Sequence, residues 1–69
     1  MYNRIRVLRE NADLTQKQVA QMLNMHKTTY TRYELGMREP PLNVAIALAQ
    51  HYGVSLDYLA GLTNKKNTE

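Results

Sequence analysis

The sequence predicts an all-α domain made of five short helices. Apolar residues recur at helical spacing in five segments, and short polar turns separate these segments. No segment alternates apolar and polar residues in the way that a half-buried strand does. The 69 residues allow one domain with a single small core, and the absence of cysteine excludes disulfides and thiolate metal sites.

The first helix is predicted over residues 3–11. Asn3 can cap it, and Ile5 and Leu8 share one face because residues three apart are neighbours on a helix surface. Leu14 follows in the turn, where we expect it to pack beneath the next helix.

Residues 15–36 predict two further helices joined by a tight turn. Thr15 and Gln18 form a capping-box signature, in which the two side chains satisfy free backbone donors at the helix start. Asn24 tolerates a left-handed backbone and can therefore close the second helix. The third helix follows within three residues and ends at Gly36, which can adopt the same left-handed conformation.

The third helix is polar on its outer side. Tyr30 and Tyr33 supply its inward positions, so packing is favoured over a role as stacking platforms for single-stranded nucleic acid. The outward positions are Lys27, Thr28, Thr31 and Arg32. Arg32 lies four residues after Thr28, so both side chains lie on one stripe. A short helix with a sharp turn before it and such side chains outward is what a DNA-reading helix-turn-helix requires.

Two more helices complete the prediction. Pro40 and Pro41 prevent the third helix from continuing and favour the start of a new one. The fourth helix is expected over residues 41–52, and its helical period is kept by Leu42, Ala45, Leu48, Ala49 and Tyr52. Ser55 can cap a short fifth helix, and residues 63–69 are expected to form a flexible polar tail.

The charge is unevenly distributed along the chain. The net charge is +3, and residues 1–38 carry seven basic against three acidic side chains, whereas residues 39–62 carry two acidic and no Lys or Arg side chains. Such polarity suits a polyanion on one side of the domain, because phosphate contacts dominate nucleic-acid affinity. The sequence lacks a Gly-rich phosphate loop, paired carboxylates and a Ser-His-Asp arrangement, so we expect no enzyme, no cofactor and no metal site.

These features together resemble a known family. Over residues 3–62 the chain is similar to the Cro/C1-type (XRE-like) helix-turn-helix domain of phage repressors and bacterial regulators. The matching signatures are IRVLREN and ADLTQKQVAQML in the first two helices, KTTYTRYELG in the third, and then REP and LNVAIALAQHYGVSLDYLAGLT. The chain departs from the family pattern at Asn24, where Gly is usual, and at His26, where Ser or Thr often caps the third helix. The resemblance implies a compact five-helix lambda-repressor-like DNA-binding domain over residues 1–62, with the helix-turn-helix at about residues 16–35.

The resemblance also implies roles for individual residues. The expected DNA-binding residues are Thr15, Gln16, Lys17, His26, Lys27, Thr28, Thr31, Arg32 and Arg38. Within this set, Gln16 is expected to hold a phosphate and Arg32 to reach a base, since Arg can donate to guanine O6 and N7. Arg9 and Glu34 are expected to form a structural ion pair that joins the first helix to the end of the third.

The implied function is sequence-specific regulation of transcription by a repressor that reads a double-stranded DNA operator in the major groove. A homodimer is expected on DNA, and Leu56 and Tyr58 are the expected dimer contacts. The alternative is an antitoxin or protein-interaction module on the same fold, with a toxin or anti-repressor protein as partner. We expect a cytoplasmic, bacterial or phage-encoded protein without a membrane partner, because no leader or membrane span is evident in the sequence.

Overall fold

The computed structural model describes residues 4–66 and contains five α-helices. The helices are α1 (Ile5–Asn11), α2 (Gln16–Met22), α3 (Lys27–Glu34), α4 (Leu42–Tyr52) and α5 (Leu56–Leu59). No strand occurs within the described range, so the prediction of an all-α fold is confirmed. The longest helix has 11 residues, and none over residues 4–66 is long and apolar enough to cross a bilayer.

The core forms where the five helices meet. Its buried side chains are Ile5, Leu8, Val19, Ala20, Tyr30, Tyr33, Ala45, Leu48, Ala49 and Leu59. Every helix contributes at least one of them. Helices of this length are marginal on their own in water, so the shared core is what stabilises each of them.

Leu42 keeps the helical period of α4 but does not pack in the core. It is 63% exposed, whereas Ala45 and Leu48 of the same period are buried. Pro41 is the N-cap, so Leu42 is the first residue of the helix. A helical period assigns residues to a face, but the first residue of α4 lies beyond the packed part of that face.

Each of the five described helices ends in the same kind of turn, a Schellman motif. The residue with positive φ is Asp13, Asn24, Gly36, Gly53 or Gly61. After α3, the Gly36 N–H donates to the Tyr33 carbonyl at 3.3 Å. The next N–H, that of Met37, donates to the Arg32 carbonyl at 3.0 Å. The left-handed conformations predicted for Asn24 and Gly36 are confirmed, with φ of 56° and 73°.

Arg4 joins the start of α1 to the C-terminal segment. Its guanidinium donates to the Thr63 carbonyl at 2.7 Å and to Asn64 Oδ1 at 2.8 Å. The same group lies 4.1 Å from the centroid of the Tyr58 ring, a cation–π arrangement. Asn3, the predicted cap of α1, lies outside the described residues, and the N-cap position is occupied by Arg4.

The start of α5 holds the same C-terminal segment. The backbone N–H of Ser55 donates to the Lys66 carbonyl at 2.7 Å. The Ser55 hydroxyl accepts the Tyr58 N–H at 3.0 Å, which confirms the predicted cap of α5. Residues 63–66 of the expected tail are therefore attached to the fold, and residues 67–69 lie outside the described range.

Candidate nucleic-acid interface

α2 and α3 are joined by the tight turn that the sequence predicts. Thr15 Oγ1 accepts the Gln18 N–H at 3.0 Å, and Gln18 Oε1 accepts the Thr15 N–H at 2.8 Å, so a complete capping box fixes the start of α2. At its end, Asn24 reverses the chain and the Met25 N–H donates to the Ala20 carbonyl at 3.0 Å. The direction in which α3 leaves α2 is thereby set by backbone hydrogen bonds.

A largely buried ion pair ties α1 to the end of α3. Arg9 Nε lies 2.6 Å from Glu34 Oε2, and Arg9 Nη2 lies 3.3 Å from Oε1 of the same carboxylate. The third nitrogen, Nη1, donates to the Leu14 carbonyl at 2.8 Å. The Glu34 side chain is 2% exposed and that of Arg9 is 13% exposed. This bidentate contact fixes the position of α3 against the body of the domain.

Gln16 extends this ion pair to the surface. Its Nε2 donates to Glu34 Oε1 at 3.1 Å, and its Oε1 accepts a hydrogen bond from the Thr31 hydroxyl at 3.2 Å. Both Gln16 and Thr31 are half-buried. Because the amide oxygen accepts and the amide nitrogen donates, only one orientation of the Gln16 side chain satisfies both partners. The first residue of α2 is therefore held against the middle of α3.

The Glu34 carboxylate stays ionised in this setting. Burial disfavours its charged form, but the hydrogen bonds from Arg9 and Gln16, together with the nearby Tyr30 hydroxyl, outweigh that effect and lower the pKa of Glu34. Burial and the Glu34 charge raise the pKa values of Tyr30 and Tyr52. Both hydroxyls are buried, and among the described residues neither has a hydrogen-bond partner of good geometry. The two phenols therefore remain neutral beside a charged pair.

The outer face of α3 lines an open groove that is accessible to a ligand. Lys27, Thr28 and Arg32 are exposed there, and they line an open groove of ≈ 310 Å³. The other residues lining this groove, called the α3 groove below, are Thr31, Leu35 and Met37. Tyr30 and Tyr33 are 0% and 7% exposed, which confirms that they pack in the core. Two cationic side chains thus share one groove, an arrangement that attracts a polyanion.

The remaining candidate residues lie outside this groove. Thr15 and Lys17 are exposed at the start of α2, and Arg38 is exposed in the loop between α3 and α4. His26 is the N-cap of α3 but makes no capping hydrogen bond with its side chain, so the backbone donors of that first turn lack a side-chain acceptor there. It lines a second hollow, of ≈ 330 Å³, together with Gln21, Asn24 and Met25.

Sequence reasoning missed two residues of the α3 groove, Leu35 and Met37. A signal was present for each: Leu35 lies seven residues after Thr28 on the same helical stripe, and Met37 follows the glycine of a Schellman motif. The hydrogen bond between Thr31 and Gln16 has no such signal. Over residues 4–66, no group of three or more His, Asp or Glu side chains is placed to hold a metal ion.

Comparison with known families agrees with this architecture. A helix-turn-helix family model matches residues 5–59, which include all five helices. The chain belongs to this helix-turn-helix family. The resemblance noted in the sequence is therefore confirmed, and it extends from the first residue of α1 to the last residue of α5.

Several bacterial and phage regulators are similar to this helix-turn-helix chain. The uncharacterized HTH-type transcriptional regulator YobD of Bacillus subtilis (strain 168) is 41% identical over 61 residues, which cover 88% of this chain and 54% of YobD. The HTH-type transcriptional regulator ImmR of the same organism is 36% identical over 66 residues, or 93% of this chain and 52% of ImmR. The cryptic phage CTXphi transcriptional repressor RstR of Vibrio cholerae is 41% identical over 54 residues, or 78% of this chain and 49% of RstR.

The chain spans about half the length of these relatives. No solved structure matches it significantly.

Proposed function

We propose that this chain binds duplex DNA in a sequence-specific manner and regulates transcription as a repressor. One observation carries the proposal: α3 buries Tyr30 and Tyr33 on one side and exposes Lys27, Thr28 and Arg32 on the other. The names of ImmR, a transcriptional regulator, and RstR, a transcriptional repressor, support the same function.

α3 enters the major groove in this proposal, with its exposed polar residues toward the base edges. Arg32 and Lys27 donate to guanine O6 and N7, and Thr28 contacts a thymine methyl group or a phosphate. Arg38, in the loop after α3, contacts the DNA backbone. The geometry of α3 supports this mode, because the Arg9–Glu34 pair holds the helix from behind without using any of these side chains.

Gln16 contacts a phosphate in the same proposal. It stands at the first position of α2, where backbone N–H groups without a helical acceptor attract anions. One hydrogen of its Nε2 is used by Glu34, and the other remains for an external oxygen. We expect Gln16→Ala to weaken binding to all duplex sequences alike, and an unchanged affinity would remove Gln16 from the interface.

A second copy of the chain completes the operator complex. One domain reads about half of a typical operator, so we propose a dimer on half-sites about one helical turn (~34 Å) apart. Leu56 and Tyr58 remain the proposed dimer contacts; both are half-buried and pack against the core, and Arg4 covers the Tyr58 ring. Sedimentation equilibrium with and without operator DNA would measure the stoichiometry.

The deciding experiment is selection of bound sequences from a random duplex library at two salt concentrations. We expect a pseudo-palindrome to be enriched, and a variant with Lys27→Ala and Arg32→Ala to lose that enrichment while it keeps the fold. Weak binding without sequence preference that disappears with salt would contradict the proposal. In that case the alternative, a protein-interaction module with a toxin or anti-repressor partner, would be pursued by copurification.

A further inference from the structure

The turn after α3 leaves its apolar residue, Met37, exposed to solvent. In every Schellman turn of the described range an apolar residue follows the position with positive φ, and these residues are Leu14, Met25, Met37, Val54 and Leu62. Leu14, Met25 and Val54 pack against the core. Met37 is instead 71% exposed, and only Leu62 of this set is comparable, at 77%.

Backbone hydrogen bonds hold Met37 beside the outer face of α3. Its N–H donates to the Arg32 carbonyl at 3.0 Å, and the left-handed Gly36, with φ of 73°, permits this reversal of the chain. Leu35 caps α3 and lies on the same stripe as Thr28, with 63% of its surface exposed. Both apolar side chains line the α3 groove together with the polar ones.

Within residues 4–66, these two side chains take no part in the packing of the core. Neither Leu35 nor Met37 belongs to the core or to the partly buried apolar residues that pack against it. Contact with a ligand would therefore remove apolar surface from water without breaking any internal packing. The cations of the same groove, Lys27 and Arg32, favour a polyanionic ligand over an apolar peptide.

We propose that Leu35 and Met37 form a contact site for the C5-methyl group of a thymine in the operator. This inference rests on the proposed function, binding of duplex DNA by α3. Thymine presents a C5-methyl group in the major groove, whereas cytosine carries only a hydrogen at C5 and an amino donor at the position of the thymine O4. An apolar end of the α3 groove therefore selects thymine over cytosine at one position, next to the positions read by Arg32 and Lys27.

The test is a scan of the selected operator in which each thymine is replaced in turn by uracil, which lacks only the methyl group. At one position we expect the wild-type chain to bind the uracil duplex roughly fourfold more weakly, the effect of about one buried methyl group. Leu35→Ala and Met37→Ala should bind the thymine duplex more weakly and lose the preference for thymine at that position. Their preference at all other positions should be unchanged.

Leu42→Ala is the matched control. Leu42 has the same exposed fraction as Leu35, 63%, but it lies on α4 and does not line the α3 groove. This variant should keep the full preference for thymine over uracil. The comparison separates an effect of the groove from a general effect of removing an exposed leucine.

Each other outcome overturns the inference. If Leu35→Ala and Met37→Ala both keep the wild-type preference for thymine over uracil at every position, the inference is overturned and the proposed function stays intact. A wild-type chain that enriches no sequence from the random library overturns the proposed function and the inference with it. Unchanged DNA affinity in both variants, with weaker self-association, would assign the two residues to a contact between copies instead.

Discussion

Arg9 and Glu34 are 25 positions apart in the chain, and their side chains meet at 2.6 Å in the interior. The same carboxylate accepts a hydrogen bond from Gln16, which in turn accepts one from Thr31. One buried acid therefore joins α1, α2 and α3 and leads to the surface that we propose for DNA binding. We therefore expect the positions of these three helices relative to one another to depend in part on the charge of Glu34.

We expect Glu34→Gln to lower the free energy of unfolding by roughly 3 kcal/mol, because it leaves the Arg9 guanidinium without its charge partner in a largely buried site. The control is Glu10→Gln, which removes a 52% exposed carboxylate that lies 3.4 Å from Arg6. That change should cost less than about 1 kcal/mol. Urea unfolding measures both, and equal costs would show that the buried pair contributes no more than the surface pair.

Acid should destabilise the fold through the same residue. The pKa of Glu34 is lower in the folded chain than its ordinary value of 4.5, so the unfolded chain binds this proton more readily. The stabilisation by ionised Glu34 is complete above pH 4.5 and is lost as the pH falls through the lower, folded pKa. We expect the difference in unfolding free energy between the wild type and Glu34→Gln to shrink in that window. A difference that stays constant in acid would contradict the assignment.

The turn after α3 can be tested by comparing two glycines. Gly36 and Gly53 have φ of 73° and 68°, and a Cβ added at either would meet no atom within 4 Å. Gly36→Ala and Gly53→Ala should therefore each cost about 1–2 kcal/mol of stability, from left-handed backbone strain alone. Only Gly36→Ala should also weaken DNA binding, since this turn holds Met37 beside Arg32. Thermal unfolding and fluorescence anisotropy would report the two effects, and equal DNA affinities would contradict a role for the turn.

Arg32 and Arg38 should differ in how they affect sequence preference. We expect Arg32→Ala to cost roughly 1–3 kcal/mol of binding free energy and to relax selection at one base pair. Arg38→Ala should weaken binding to all sequences and reduce the salt dependence, because a phosphate contact carries no sequence information. Selection repeated with each variant would measure this, and a uniform loss for Arg32→Ala would assign Arg32 to phosphate.

The contact of Arg4 with the C-terminal segment predicts a local effect. Arg4→Ala should cost on the order of 1–2 kcal/mol, since it removes two hydrogen bonds and a cation–π contact. It should also accelerate hydrogen exchange at the Ser55 amide, which donates to Lys66 in the segment that Arg4 holds. The control is Arg6→Ala, at an exposed position of α1, the helix that Arg4 caps. An unchanged exchange rate at Ser55 would show that the segment is held without Arg4.

Local chemistry explains why parts of the fold could be predicted from the sequence. The capping box of Thr15 and Gln18 and the left-handed conformation of Asn24 depend on residues within a few positions of each other. Leu42 keeps the helical period of α4 and is nevertheless exposed, because a helical period does not show where the core ends along the helix. The contact of Arg4 with Asn64 joins opposite ends of the chain, and no local pattern could indicate it.

In the candidate site, too, features set by neighbouring residues could be predicted from spacing and contacts between helices could not. The exposure of Lys27, Thr28 and Arg32 follows from their helical positions relative to the buried Tyr30. The pairing of Arg9 with Glu34 came from the resemblance to a family and not from any spacing in the sequence. The hydrogen bond of Thr31 to Gln16 depends on the distance between two helices, which the sequence alone does not provide.

Only one residue of the α3 groove is linked to the buried side of α3, and this has a consequence for how such a domain can diversify. Of the residues that line the α3 groove, Thr31 alone is hydrogen-bonded to the buried Glu34 network, through Gln16. Lys27, Thr28, Arg32, Leu35 and Met37 can each be exchanged without removing a core contact. If α3 binds DNA as proposed, we therefore expect changes of operator preference to be possible with little change in melting temperature. A library randomised at these five positions, with Thr31 kept, should yield folded domains that recognise many different DNA sequences.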